Sequence, residues 1–214
     1  MTPQGPVPIE DIRVGDEILA LDSDSRPVYS PVILFLDRDP SVQRIFFKVI
    51  TSSGKTITLT PSHLIYVIDQ HDPNDMSKSL ATKRVQFAYQ INPKQFVVTQ
   101  ELDSTSDEII TRIEEIVSIE VDKRTGVYAP LTREGNLIVN NVLASCYANI
   151  EDQSLAHLSF LPVRAYSYLM EFFDLFNSQD HVMRRRQDPP PNGIHWYPRM
   201  LRFIGHILLG SYLE

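Results

Sequence analysis

Over roughly the first 150 residues, apolar side chains come in short runs that either alternate with polar ones or continue unbroken, and turn residues separate the runs at regular spacing. Strands are predicted at 17–21, 28–36, 45–51, 55–60, 64–68, 85–89, 96–99, 109–121, 125–130 and 137–144. Alternation is clearest at 55–60, where Ile57 and Leu59 fall on one face and Thr56, Thr58 and Thr60 on the other. Pro31 interrupts the second run, and a residue without an amide hydrogen belongs at an edge or a bulge. The second strand is expected to end at Asp37-Arg38-Asp39-Pro40. Ser52-Ser53-Gly54 and Arg133-Glu134-Gly135-Asn136 have hairpin-turn composition, and the polar stretch 71–82 reads as a loop or insertion. About ten short strands with no helix among them predict a mainly β fold.

Past residue 150 the period changes. Val163, Tyr166, Met170 and Phe173, with Leu169, Phe172 and Phe176, recur at helical spacing and predict an amphipathic helix over 162–176 with Pro162 near its start. Residues 177–193 read as a linker carrying Arg184-Arg185-Arg186 and Pro189-Pro190-Pro191, and 194–213 as a second helix interrupted by Gly205 and Gly210. The expected division is a β domain over 1–150 and a helical appendage over 151–214.

Composition narrows the function. With 214 residues, 43% hydrophobic and 22% charged, the chain can bury a sizeable core. A net charge of -7 leaves no basic excess to neutralise phosphates, so general nucleic-acid binding is disfavoured. The single cysteine, Cys146, permits neither an internal disulfide nor a cysteine-based zinc site. The six histidines lack metal-ligand spacing, and no cofactor is expected. The first residues lack the basic and apolar regions of a signal peptide, and no apolar run reaches the roughly 18 residues that span a bilayer.

Three places carry candidate chemistry. Thr60-Pro61-Ser62-His63 lies between two apolar runs. Pro61 biases Thr60 towards extended geometry, and a bend there can bring the Thr60 hydroxyl and the His63 ring to one point; read locally, the same residues suit a turn with a surface histidine. Asp37, following Ile33-Leu34-Phe35-Leu36, is either a strand-end turn residue or a partly desolvated carboxylate suited to general base work. Cys146, in Ala144-Ser145-Cys146-Tyr147-Ala148, reads as a small buried hydrophobe. No Gly-x-Ser-x-Gly turn supports a serine hydrolase.

In order along the chain, these stretches resemble the C-terminal autoprocessing region of Hedgehog proteins. The resemblance rests on Val28-Tyr29-Ser30 through Asp37-Arg38, Leu59-Thr60-Pro61-Ser62-His63-Leu64, Ala129-Pro130-Leu131-Thr132-Arg133-Glu134-Gly135, Ala144-Ser145-Cys146-Tyr147-Ala148, Ser154-Leu155-Ala156-His157 and Asn192-Gly193-Ile194-His195-Trp196-Tyr197. It implies a Hint β fold, shared with inteins, followed by a helical sterol-recognition region. It also implies a reaction: a cysteine opening the Hint domain attacks the preceding carbonyl, and the 3-hydroxyl of cholesterol displaces the resulting thioester. The upstream signalling domain then leaves esterified to cholesterol. The partners implied are therefore cholesterol and the signalling domain in cis, in the secretory pathway and outside the cell, with membrane association through 159–214. The arginine triplet then reads as a solvated linker or as a contact for anionic lipid headgroups.

By this resemblance His63 acts on the departing amide nitrogen, Thr60 holds the scissile peptide, and Asp37 takes the proton of the sterol hydroxyl. Met1-Thr2-Pro3-Gln4-Gly5 stands where the family's first strand should be finishing, so the attacking cysteine is expected upstream of this sequence and the chain alone to be inactive. Cys146 is by resemblance a redox partner of that cysteine. The alternative is a non-catalytic sterol- or membrane-binding module.

Overall fold

The computed structural model describes residues 1–103, 108–148, 158–174 and 193–201. Nine strands form one curled sheet among these residues: β1 (Glu17–Leu21), β2 (Pro27–Thr51), β3 (Thr56–Leu59), β4 (His63–Val67), β5 (Arg84–Phe87), β6 (Phe96–Leu102), β7 (Ile109–Thr132), β8 (Asn136–Val139) and β9 (Val142–Ala148). Neighbours run β1-β2-β7-β6-β9-β4-β5, with β3 added to β2 and β8 to β9. Among the described residues these strands pair antiparallel throughout. The fold is mainly β, as expected.

Two predicted breaks do not separate strands. Residues 28–36 and 45–51 belong to one 25-residue strand, β2, and residues 109–121 and 125–130 to one 24-residue strand, β7. These two pair along most of their length, so each supplies hydrogen-bond partners across the polar stretch of the other. The turn signal at Asp39-Pro40 is physically real but makes a bulge. Asp39 accepts hydrogen bonds from the Ser41 amide (2.9 Å), the Ser41 hydroxyl (2.7 Å) and the Val42 amide (3.1 Å), and the β2–β7 register shifts between Asp39 and Gln43. Asp37 is therefore mid-strand, opposite Ala129, and not at a strand end.

Residues 71–82 are also more than a loop. They contain α1 (Met76–Ala81), whose first turn is capped by the Asp75 carboxylate accepting from the Lys78 amide at 2.8 Å. A 3-10 turn follows β5 at Ala88–Gln90. The predicted strand 137–144 is a hairpin of β8 and β9, turned by Asn140 and Asn141 at φ of 48° and 68°. Two positive φ angles give the turn a twist that matches the flanking strands, and asparagine tolerates that region.

The core lies inside the curl. Val32, Val49, Ile57, Leu64, Ile65, Val67, Val97, Ile116, Leu131 and Val142 are all essentially inaccessible. A smaller cluster of Leu19, Leu21, Tyr66, Ile68, Val98, Ile138 and Leu143 lies beside it. Leu19 donates its amide to Met1 O at 2.9 Å, which ties the N-terminal segment to β1.

The tail joins this body at one corner. α2 (Leu161–Asp174) matches the predicted helix within two residues at each end. Val163 packs on the main core, Arg164 donates to Arg133 O at 2.8 Å, and the Arg133 guanidinium lies 4.0 Å from the Tyr168 ring centre. The ring of Tyr147 of β9 packs at a tilt against Phe160, and Phe160 likewise against Tyr197, whose hydroxyl donates to Ser159 O at 2.8 Å. Residues 196–201 are helical, consistent with the start of the second predicted helix; the linker beyond Asp174, the block Ser154–His157 and residues after 201 fall outside the described residues.

Candidate functional site

β4 and β9 bring the His63 ring to the backbone just before Cys146. Pro61 and Ser62 form the turn between β3 and β4, closed by the His63 amide donating to Thr60 O at 3.0 Å. His63 then opens β4 opposite Ala148 of β9, with a register shift before Ile65. The shift re-aims the ring. Nε2 lies 2.8 Å from Ser145 O, the carbonyl directly preceding Cys146. A carbonyl only accepts, so Nε2 carries the hydrogen and Nδ1 is left as the working nitrogen. The residue keeps some exposed surface, yet enough protein surrounds the ring that burial lowers its pKa, partly opposed by the Ser145 carbonyl. Near neutral pH the ring is uncharged.

Cys146 is buried. Burial pushes its thiol up to about 11, although the amide and hydroxyl of Thr132, each 3.5 Å from Sγ, favour the thiolate. A thiol held protonated is a poor nucleophile at neutral pH. Thr132 is itself fixed, its hydroxyl donating to Asn136 O at 2.7 Å, and it links Cys146 to β7. Neither Thr132 nor the Ser145 carbonyl was singled out from sequence. A run of apolar β9 residues broken by one buried serine is the only local signal.

Asp37 reaches the same corner from β2. It opposes Ala129, three residues along β7 from Thr132. At about 3.3 Å per residue this separates Asp37 from the Thr132–Cys146 contact by on the order of 10 Å. Among the described residues no hydrogen bond joins Asp37 to His63, whose ring bonds Ser145 O. Desolvation raises the Asp37 pKa and Asp39 adds to that, while the Arg38 amide, Arg44 and Arg199 oppose it. Arg199 comes from the tail, so the tail faces Asp37. Thr60 is half-buried at the turn before His63.

Among the described residues, no group of three or more His, Cys, Asp or Glu side chains can hold a metal ion, and no helix is long and apolar enough to cross a membrane. A groove of about 450 Å³ beside the N-terminal segment is lined by Thr2, Pro3, Gln4, Val7, Asp11, Arg13, Asp16 and Glu17, and so by none of the four candidate residues.

Residues 1–210 match the family model described as the Hint module. The chain is 35% identical over 204 residues to the Sonic hedgehog protein of Danio rerio, covering 95% of this chain and 46% of that protein. It is 36% identical over 206 residues to Protein hedgehog of Drosophila ananassae, covering 94% and 41%. The Tiggy-winkle hedgehog protein of Danio rerio is 36% identical over 203 residues, with coverage of 94% and 45%. The chain thus spans less than half the length of these relatives. Among solved structures it is similar to the DnaX mini intein from Spirulina platensis (TM-score 0.51, 21% identity, 67% of this chain and 92% of that one). The Ssp DnaB mini-intein variant M86 is similar to the same degree (TM-score 0.51, 19% identity, 68% and 85%).

Proposed function

Because this chain belongs to the Hint module family, we propose that it is the autoprocessing region of a Hedgehog-type precursor, which cleaves itself through a thioester and transfers the upstream signalling domain to cholesterol. The division at about residue 150 then separates a Hint body from a sterol-recognition tail, and processing takes place in the secretory pathway before the signal is secreted. The observation that carries this reading is the neutral imidazole of His63, anchored through Nε2 on the Ser145 carbonyl with Nδ1 left to exchange protons.

The chemistry balances on these residues. A cysteine supplied ahead of this sequence gives its thiol proton to His63 Nδ1, and its sulfur attacks the preceding carbonyl carbon. The carbon–nitrogen bond breaks, and the imidazolium returns its proton to the departing amine. Burial makes that imidazolium a stronger acid than free histidine, which suits the second transfer. Thr60 holds the scissile peptide. Asp37 takes the proton of the sterol 3-hydroxyl, whose oxygen displaces the thiolate to form the ester. A carboxylate with a raised pKa is a better base for that step. Cys146, protonated and buried, does not compete as nucleophile; its proposed part is that of redox partner for the attacking cysteine.

The test adds a Cys-containing N-terminus and a reporter domain ahead of Met1, then cholesterol in detergent. Sterol-dependent reporter release is expected, and Asp37→Ala is expected to suppress it while leaving cleavage by dithiothreitol intact. Release indifferent to sterol or to Asp37→Ala rules the mechanism out.

A further inference from the structure

The edge of β2 opposite β7 is covered by β1 at Pro27–Pro31 and by β3 at Phe47–Ile50. Part of the stretch between them is taken by the tail. Arg38 donates its amide to Gly193 O at 3.3 Å, Gly193 donates back to Arg38 O, and His195 donates to Leu36 O at 3.1 Å. These bonds set an antiparallel register in which Arg38 opposes Gly193 and Leu36 opposes His195. Asp37 and Ile194 are then the intervening pair without mutual hydrogen bonds. The tail meets this edge as a bend, with Gly193 at φ 94°, and its three backbone bonds set Ile194 beside Asp37 along the edge of β2. Asp37 is partly accessible and Ile194 is 46% exposed, so a ligand can touch both.

Resting on the sterol-transfer reading, we propose that Ile194 seats the hydrocarbon frame of the acceptor alcohol against Asp37, the 193–195 segment forming one wall of the acceptor site. A single exposed isoleucine needs no explanation by itself. What selects this one is its register position opposite the carboxylate that would serve as base. The acceptor's only polar group must reach that carboxylate, and the carbon skeleton carrying it needs an apolar wall within the same few ångströms. The other charged and titratable neighbours here are Arg38, Asp39 and Arg44 on β2, Tyr128 on β7 opposite Arg38, and His195 and Arg199 on the tail. None of them supplies an apolar surface at that position. Ile194 also explains how a tail joined to the body far along the chain can act in the second step: its backbone is paired to the strand that holds the base.

The test uses the reporter protein described above. Ile194→Ala is expected to raise the KM for cholesterol about 10-fold, from the loss of a few methylene contacts. It should leave the rate of dithiothreitol-induced release, which reports the thioester alone, within about twofold. Ile194→Val should restore most of the sterol KM. An unchanged KM in Ile194→Ala, or an equal fall in thiol-induced release, overturns the proposal. The pairing is measured apart from activity by amide exchange: the Arg38 and His195 amides should be protected, and Arg38 should lose protection when the chain is ended before Gly193. Unprotected amides alongside normal sterol-dependent release overturn this inference and leave the sterol reading standing. Absence of sterol-dependent release in the unsubstituted protein, with the amides protected, removes the function and the inference together.

Discussion

Replacing Glu114 with glutamine is expected to cost the folded state about 2 kcal/mol at pH 7. The carboxylate is only 8% exposed and accepts from Lys55 Nζ and Thr51 Oγ1 at 2.6 Å, Ser53 Oγ at 2.5 Å and Thr99 Oγ1 at 2.9 Å. It thereby joins β2, the turn into β3, β6 and β7. Burial alone raises its pKa, but the hydrogen bonds from Lys55, Ser53, Thr51 and Thr99 outweigh burial and hold it at about 2, against an ordinary 4.5. A gap of roughly 2.5 pH units corresponds to about 3 kcal/mol. Lys55 also lies 3.6 Å from Glu101, so it is not stranded when Glu114 is neutralised, and that lowers the net loss to about 2 kcal/mol. Because the folded pKa lies below the unfolded one, the stabilisation is complete above the unfolded value of 4.5 and is lost as pH falls towards about 2. Urea unfolding of the parent and Glu114→Gln at pH 7 and pH 3 reads this directly. The difference between them should shrink by more than half at the lower pH. Equal midpoints at pH 7, or a difference that does not change with pH, would refute the account of Glu114 as a charged staple.

Two further outcomes follow from local geometry. With its thiol raised to about 11 by burial, Cys146 in the native protein should react with iodoacetamide at pH 8 at least ~100-fold more slowly than in urea; comparable rates contradict the burial. Asn141 turns the β8–β9 hairpin at φ 68°, so Asn141→Ala should lower stability by about 1 kcal/mol while Asn141→Gly stays within roughly 0.5 kcal/mol of the parent, as read by thermal unfolding.

The positions of strands were readable wherever an apolar run met a turn that reverses the chain, as at Ser52-Ser53-Gly54 and Arg133-Glu134-Gly135-Asn136. They were misread where the same turn chemistry is absorbed into a ribbon. Asp39 makes the hydrogen bonds of a turn, but β7 is present to take up pairing again at Gln43. Composition cannot distinguish these outcomes, because the deciding partner lies more than 80 residues away. α1 was missed for a related reason: six residues give too few turns for a period to register, and the helix is held by the Asp75 cap and by Ser79, whose hydroxyl bonds back to Asp75 O at 3.0 Å.

The candidate site divides along the same line. Asp37, Thr60 and His63 could be picked out because each is a polar side chain at a break in an apolar pattern, and Cys146 because it is the single cysteine. What makes His63 chemically specific is a backbone carbonyl, and a carbonyl belongs to every residue alike. Ser145 O is free to hold the ring because the β4–β9 pairing is interrupted between His63 and Ile65. A regular ladder there would commit such carbonyls to strand pairing. The defect that spoils the register is therefore the feature that fixes the tautomer, and with it which imidazole nitrogen can move a proton. Substituting Ser145 would leave that carbonyl in place, whereas moving the register of β9 by one residue would remove it. The chemistry of this corner is accordingly set by strand pairing as much as by side-chain identity.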